Sequence, residues 1–259
     1  MREDLPEKFV DSLLWIREEL LEMDTLAEPV LGITAWDDPV VHPFGSKQLL
    51  VSADGPYTKR LVMKSALVHA STDVIVKGGR PLFALDCLIG EESDVREMIR
   101  SLKRQALSLK IPLLGGNTLF EDAEPRCTLA VIGDLLLDEP IRDDGARPGD
   151  VIALVGEPIW GEQEERLEKA KLLFKTWYAI LKKTKINSSK DVTKGGLVSV
   201  VYEMERKSGR KFKLEEKIPY SITRNLDNFL VTLPEQELHR LEKICRKHDC
   251  PHTTIGRVV

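Results

Sequence analysis

The sequence lacks the long apolar run that a membrane span requires. It has 259 residues, of which 42% are hydrophobic, but its apolar stretches are short and an aspartate interrupts LAVIGDLLL (129–137). About 20 uninterrupted apolar residues are needed to cross a bilayer, so we expect no membrane association. The start of the chain, MREDLPEKF, is acidic and mixed, which does not fit a signal peptide.

The chain also has too little positive charge for a general nucleic-acid binder. Its formal net charge is −4, whereas such proteins usually carry a basic surface. The one notable basic run, RKSGRKFK (206–213), is interrupted by Ser208 and Gly209, and we interpret it as a solvated loop. We therefore expect no nucleic-acid partner.

Paired cysteine motifs are absent as well. The four cysteines are Cys87, Cys127, Cys245 and Cys250, and none forms a CxxC pair. The last two lie near His248 and His252, but their spacing fits no common zinc pattern, so a zinc site is disfavoured. Scattered thiols indicate a reducing, cytoplasmic compartment.

Several familiar catalytic and nucleotide signatures are missing. The sequence contains no GxxxxGK[ST] loop, no GxGxxG after a strand, no GxSxG elbow and no HExxH. These absences disfavour a P-loop nucleotide hydrolase, a dinucleotide-binding fold, an α/β-hydrolase and a zinc protease. What remains is a set of acids and glycines near the ends of predicted strands and helices.

Hydrophobic periodicity predicts strands and helices in two blocks. Strands are expected over 48–53, 80–90, 111–116, 127–137, 151–156, 229–234 and 253–259, and helices over 6–23, 60–77, 93–110, 164–183, 195–205 and 235–249. The turn-rich segment 138–150 separates the blocks. We therefore expect an α+β protein of two domains, 1–145 and 146–259.

Acids and glycines at the element ends are the candidate functional groups. They are Asp37, Asp38, Asp54, Asp73 and Asp191, with Gly115-Gly116-Asn117-Thr118 after a strand. Carboxylates are natural Mg²⁺ ligands, and glycines and helix N-termini offer N–H groups to phosphates. Taken singly, each also fits an ordinary turn, a solvent-facing acid, a strand end or a helix cap.

In their order along the chain, these pieces resemble the superfamily of aminoimidazole ribonucleotide (AIR) synthetase. That superfamily includes formylglycinamide ribonucleotide amidotransferase, thiamine-monophosphate kinase, selenophosphate synthetase and the hydrogenase maturation protein HypE. The similar elements are WDDPVV (36–41), DGPYTK (54–59), STDVIVKGGRPLFALD (71–86), GGNT (115–118), PGDVIALVG (148–156), DVTKGGL (191–197) and IGRV (255–258).

The resemblance implies a fold, cofactors and residue roles. It implies an N-terminal domain whose sheet pairs with that of a second copy in a homodimer, and a C-terminal α/β domain packed against it. ATP and Mg²⁺ are the implied cofactors. The implied metal ligands are Asp37, Asp38, Asp54 and Asp73; the implied catalytic residues are Asp54, Lys59 and Asp191; the implied nucleotide loop comprises Gly55, Thr58, Gly115, Gly116, Asn117 and Thr118.

The activity implied is ATP- and Mg²⁺-dependent phosphorylation or activation of an oxygen on an unidentified small molecule. WDDPVV favours a kinase, whereas DGPYTK and PLFALD favour a synthetase. Asn117 replaces the acid of many members, Pro56-Tyr57 replaces a smaller pair, and the second domain is short. These departures keep a second hypothesis open: a non-catalytic, nucleotide-binding regulatory relative of the same fold.

Overall fold

The structure, a computed structural model, describes residues 18, 21, 23–37, 39–215 and 217–259. Most of the predicted helix over 6–23 lies outside these residues. The described strands are β1 (Val40–Phe44), β2 (Lys47–Thr58), β3 (Gly79–Gly90), β4 (Leu113–Phe120), β5 (Arg126–Leu135), β6 (Val151–Val155), β7 (Ser188–Asp191), β8 (Phe212–Leu214), β9 (Phe229–Leu233) and β10 (His252–Val258). The described helices are α1 (Met23–Ala27), α2 (Lys59–Val62), α3 (Ala66–Val76), α4 (Glu92–Leu109), α5 (Gln163–Leu181), α6 (Gly196–Ser208) and α7 (Glu235–Lys247).

The first sheet has one covered face and one open face. Its strand order is β1-β2-β5-β3-β4, antiparallel except for the parallel β3–β4 pair. Strand residues such as Leu50 and Leu129 join Met98 and Leu102 of α4 in one buried core. Large apolar side chains remain exposed on β3 and on the edge strand β4, namely Leu85, Leu114, Leu119 and Phe120.

The second sheet is covered on both faces. Its order is β7-β9-β6-β10-β8, with every pair antiparallel. Successive strand residues point to opposite faces, so Val151 and Val155 of β6 pack in the core of α5 and α7, whereas Ile152 and Leu154 pack in the core of α6. None of the described helices is both long and apolar enough to cross a bilayer.

Helix α3 belongs to both cores. Ten of its 11 residues are buried, as expected for a helix surrounded by protein. The indole N–H of Trp177 in α5 donates to the carbonyl of Ile75 at 2.7 Å, and the Ser189 hydroxyl donates to the carbonyl of Val76 at 2.7 Å. The second domain therefore fixes the position of α3, which carries two residues of the site described below.

Strand β2 continues beyond its predicted end at residue 53. It runs through DGPYT to Thr58, with a register shift against β5 between Asp54 and Tyr57. Gly55 adopts φ +130°, and a Cβ there would lie 2.8 Å from the carbonyl oxygen of Cys127. Only glycine fits this bulge without strain, so the acid and the tyrosine project from a strand, not from a free loop.

Two other predicted boundaries also differ. The single helix predicted over 60–77 is two helices, α2 and α3, separated by residues 63–65. The glycines of GGNT do not end a strand but lie inside β4. A Cβ on Gly116 would lie 1.7 Å from the carbonyl oxygen of Asp86, so glycine is what allows β4 to approach β3.

Candidate functional site

A cavity of about 540 Å³ lies where the two domains meet. Its lining residues are Ser52, Ala53, Asp54, Gly55, Pro56 and Tyr57 of β2, Leu61 of α2, His69 and Asp73 of α3, and Thr193, Lys194, Gly195 and Asn225 of the second domain. The lining is mostly polar, which suits a charged ligand better than an apolar one.

Two of the predicted metal ligands meet in this cavity. Asp54 projects from the bulged part of β2, and Asp73 projects from α3. The Ser52 hydroxyl donates to Asp73 Oδ2 at 2.6 Å, and the backbone N–H of Gly55 donates to Asp54 Oδ1 at 2.7 Å. Both carboxylates are thus oriented before any ligand binds.

His69 lies one helical turn before Asp73, on the same face of α3. Its Nδ1 is 2.6 Å from Asp227 Oδ1, and its Nε2 is 3.5 Å from Asp54 Oδ2. Burial lowers the pKa of His69, but Asp227 and the nearby carboxylates outweigh this effect and raise the pKa to about 10. Sequence reasoning missed this residue, although its four-residue spacing from Asp73 was an available signal.

Tyr57 adds an unsatisfied donor. Its ring packs edge-on against His69 with centroids 5.6 Å apart, and burial raises its pKa far above the usual range. Among the described residues, its buried hydroxyl makes no hydrogen bond of normal geometry, although the nearby Asp54 carboxylate also raises its pKa. Such a group typically costs about 1–3 kcal/mol, so a ligand or ion that supplies an acceptor would recover stability here.

The second domain contributes the turn between β7 and α6. Asp191, at the end of β7, is buried and accepts a 2.5 Å hydrogen bond from the Thr72 hydroxyl of α3. The residues that follow it, Thr193 to Gly195, line the cavity. Asp191 therefore lies behind the cavity wall, where it joins α3 to the second domain.

Lys59 and Thr58 are not brought to the cavity lining. The Lys59 ammonium lies 2.6 Å from Asp94 and 2.5 Å from Glu97, both on α4. The hydrogen bond that Lys59 donates to Asp94 is the largest effect that raises the pKa of Lys59. Thr58 is exposed at the end of β2.

The GGNT segment also lies apart from the cavity within one chain. Gly115, Gly116, Asn117 and Thr118 are exposed on the edge strand β4. Gly115 lines a separate, mostly apolar hollow of about 700 Å³ together with Asp86, Lys103 and Leu107.

Asp37 lies in a second set of charges, which we name the buried ion cluster: Asp37, Lys77, Asp143, Lys190, Glu203 and Lys207. Asp143 is fully buried, and ion pairs join it to Lys77, Lys190 and Lys207. The Asp37 carboxylate accepts the backbone N–H of Asp143 at 3.0 Å and lies 3.5 Å from Lys77. Asp38 lies outside the described residues.

The residues in the cavity are better suited to Mg²⁺ than to a metal ion whose ligands are all protein side chains. Among the described residues, no three His, Cys, Asp or Glu side chains are arranged to hold a metal ion. Mg²⁺ is usually bound through one or two carboxylates together with phosphate oxygens and water, and Asp54 and Asp73 provide that number. The cavity can therefore position a metal-bound phosphate, but it lacks the donors of a zinc site.

Two family models match most of the chain. The family model described as AIR synthase related protein, N-terminal domain, matches residues 36–135, and the C-terminal domain model matches residues 154–259. An uncharacterised protein of Methanocaldococcus jannaschii is 36% identical over 236 residues, which cover 88% of this chain and 77% of that protein. Selenide, water dikinase of Caldanaerobacter subterraneus is 30% identical over 205 residues, covering 70% of this chain and 58% of that protein.

Solved structures share the fold. PurL of T. maritima complexed with ATP superimposes with a TM-score of 0.74 at 18% identity, covering 89% of this chain and 43% of that chain. A structure of the HypE–HypF complex gives a TM-score of 0.70 at 18% identity, with 92% of each chain covered. The present chain therefore spans less than half of the PurL chain but nearly all of the HypE–HypF chain that it matches.

Proposed function

Because the chain belongs to the AIR synthase-related family, whose members include ATP-dependent kinases and synthetases, we propose that it is an ATP- and Mg²⁺-dependent kinase or synthetase of a small molecule. The observation that carries this proposal is the convergence of Asp54 and Asp73 in one interdomain cavity. The reaction proposed is phosphorylation or activation of an oxygen on the substrate.

In this proposal the two cavity acids hold the metal, which when bound neutralises charge on the phosphates. Gly55 leaves room for a phosphate to approach the bulged strand, because it has no side chain. Asp191 positions α3 through Thr72. Catalysis then consists mainly of alignment and charge stabilisation, which can account for large rate accelerations in phosphoryl transfer.

We further propose a cytoplasmic homodimer in which the GGNT segment of one protomer serves the cavity of its partner. The exposed apolar side chains Leu85, Leu114, Leu119 and Phe120 support a contact at β3 and β4.

Two variants test whether the site is shared between protomers. Suppose that Asp54→Asn and Thr118→Val each abolish nucleotide binding. Random subunit exchange makes about half of the dimers mixed, and a mixed dimer of a two-fold pair has one site with both wild-type residues. About a quarter of all sites should therefore bind nucleotide again. No recovery after subunit exchange would contradict the shared site.

The experiment for the function itself is calorimetric titration with AMP-PNP and Mg²⁺, followed by ADP release over a metabolite panel. We expect binding that requires Mg²⁺ and turnover with at least one metabolite. Asp54→Asn should weaken this binding. Its matched control is Asp138→Asn, because Asp138 is an exposed acid that does not line the cavity. Binding without turnover would favour the regulatory relative, and absence of binding would overturn both hypotheses.

A further inference from the structure

His69 places an imidazole ring beside the acids of the cavity. It extends from α3 toward Asp227 of the second domain, and the 2.6 Å contact at Nδ1 fixes the orientation of the ring. The opposite nitrogen, Nε2, then lies on the side of Asp54, which lines the cavity. Asn225 approaches the same ring, with its Nδ2 3.5 Å from Nδ1.

The Nε2 nitrogen has capacity for another partner. Its 3.5 Å separation from Asp54 exceeds the roughly 2.7–3.2 Å of a normal N–H···O hydrogen bond. Each ring nitrogen faces a carboxylate oxygen, Asp227 Oδ1 at Nδ1 and Asp54 Oδ2 at Nε2. A carboxylate oxygen accepts hydrogen bonds, so the ring is placed to donate from both nitrogens as an imidazolium. An imidazolium donates from both nitrogens and cannot ligate a metal ion.

We propose that His69, held in place by Asp227, donates its Nε2–H to a phosphate oxygen of the ligand in this cavity. The inference rests on the proposed function and adds a phosphate-binding residue to it. It gives the cavity a hydrogen-bond donor on α3, in addition to Lys194 of the second domain, which also lines the cavity. The Lys59 ammonium is instead paired with Asp94 and Glu97. Asp227 acts through His69 and is therefore a positioning residue.

Calorimetry with AMP-PNP and Mg²⁺ provides the first test. Loss of one charge-assisted hydrogen bond should weaken binding about tenfold in His69→Gln. Asp227→Asn should weaken it by a smaller factor, because the imidazole remains but its orientation is less fixed. The matched control His239→Gln changes an exposed histidine of α7 and should bind like the wild type. Equal affinity of folded His69→Gln and wild type would overturn a contact with the phosphates of the nucleotide.

Nitrogen-15 NMR of histidine-labelled wild-type protein provides a test that does not depend on the folding of a His69 variant. The five imidazoles are assigned with single variants of His42, His239, His248 and His252. We expect both His69 nitrogens to carry protons at pH 7.5, and the Nε2 signal to shift when AMP-PNP and Mg²⁺ bind.

Titrations with AMP and with inorganic phosphate identify the source of the phosphate. A shift with AMP-PNP but not AMP assigns the contact to the β- or γ-phosphate of the nucleotide. A shift with inorganic phosphate alone assigns it to a phosphate of the second substrate. Suppose that calorimetry shows AMP-PNP binding, but AMP-PNP, AMP and inorganic phosphate all leave the His69 signal unchanged. The inference is then wrong although the proposed function stands. If AMP-PNP does not bind at all, the proposed function fails first.

Discussion

The interdomain cavity and the buried ion cluster are two places where acids distant in the sequence come together, and they differ in how their charges are matched. In the cluster, Asp143 contacts three lysines and has no exposure to solvent. In the cavity, Asp54 and Asp73 border open space, and the neighbouring Tyr57 hydroxyl is unsatisfied.

This difference separates a structural role from a ligand-binding role. Among the described residues, each of the three carboxylates in the cluster already has a lysine partner without any ligand. Burial raises the pKa of Asp143, but the ammonium groups of Lys190, Lys77 and Lys207 outweigh burial and hold that pKa well below its usual range. The cavity has groups that an added cation and phosphate would complete. Variants should therefore affect stability in the cluster and binding in the cavity.

The largest effect on stability is expected for Asp143→Asn. The substitution leaves the ammonium groups of three lysines, two of which are buried, facing a neutral amide. Removing one partner of a buried ion pair typically costs about 3–5 kcal/mol. Denaturant unfolding measures the loss. The neighbouring Asp144→Asn is the control, because Asp144 pairs with Arg142 at the surface and should change stability by less than about 1 kcal/mol. Equal losses in both variants would mean that the cluster is not structural.

The next effect is on binding. Asp54→Asn and Asp73→Asn should each weaken Mg²⁺-dependent AMP-PNP binding by about tenfold to a hundredfold, because amides are poorer Mg²⁺ ligands than carboxylates. Their free energies of unfolding should change less than that of Asp143→Asn, since Asp227 still contacts His69 when Asp54 is replaced and neither acid pairs with a lysine of the cluster. Calorimetry and denaturant unfolding of the same samples separate the two quantities. Normal binding by both folded variants would remove the cavity acids from the metal site.

A further effect on stability is expected from pH. The folded-state pKa of His69 is about 10, above the ordinary value near 6.5. The stability contributed by its charge is therefore fully present below about pH 6.5 and is lost as the pH rises toward about 10. Between pH 6 and pH 10 the ligand-free wild type should lose more unfolding free energy than His69→Gln, by on the order of 4 kcal/mol. Parallel losses in the two proteins would indicate a neutral His69.

The smallest effect is expected for Lys59→Met. The Lys59 side chain is partly exposed and lies between Asp94 and Glu97, and such pairs usually contribute about 0.2–1 kcal/mol. Binding of AMP-PNP should change by less than about twofold if Lys59 keeps these partners in the complex. A loss comparable with that of Asp54→Asn would show that Lys59 leaves α4 to contact phosphate, as the family resemblance implies.

The two-domain α+β organisation could be predicted from the sequence. The spacing of apolar residues and the position of turn-rich segments depend only on residues that are close together in the chain. It also indicated that Asp54 and Asp73 belong together, through their order in the family motifs. It could not reveal that β2 continues through DGPYT, since that depends on the approach of Cys127 in β5 to Gly55. A contact between residues so far apart in the chain cannot be predicted from local sequence patterns.

The separation of Asp37 from the cavity was equally hidden. The segment WDDPVV is typical of an acidic turn. The position of the Asp37 side chain within it depends on contacts with Lys77 and Asp143, which lie far along the chain. His69 was missed because a single histidine in an apolar helix resembles an ordinary core residue. Only the folded chain places Asp227 beside its Nδ1.

The most direct measurement is a crystal structure of the protein with AMP-PNP and Mg²⁺. The account predicts the phosphates in the interdomain cavity, with a Mg²⁺ ion about 2.0–2.1 Å from carboxylate oxygens of Asp54 and Asp73. Phosphates bound elsewhere, with both carboxylates turned away from any metal, would contradict it.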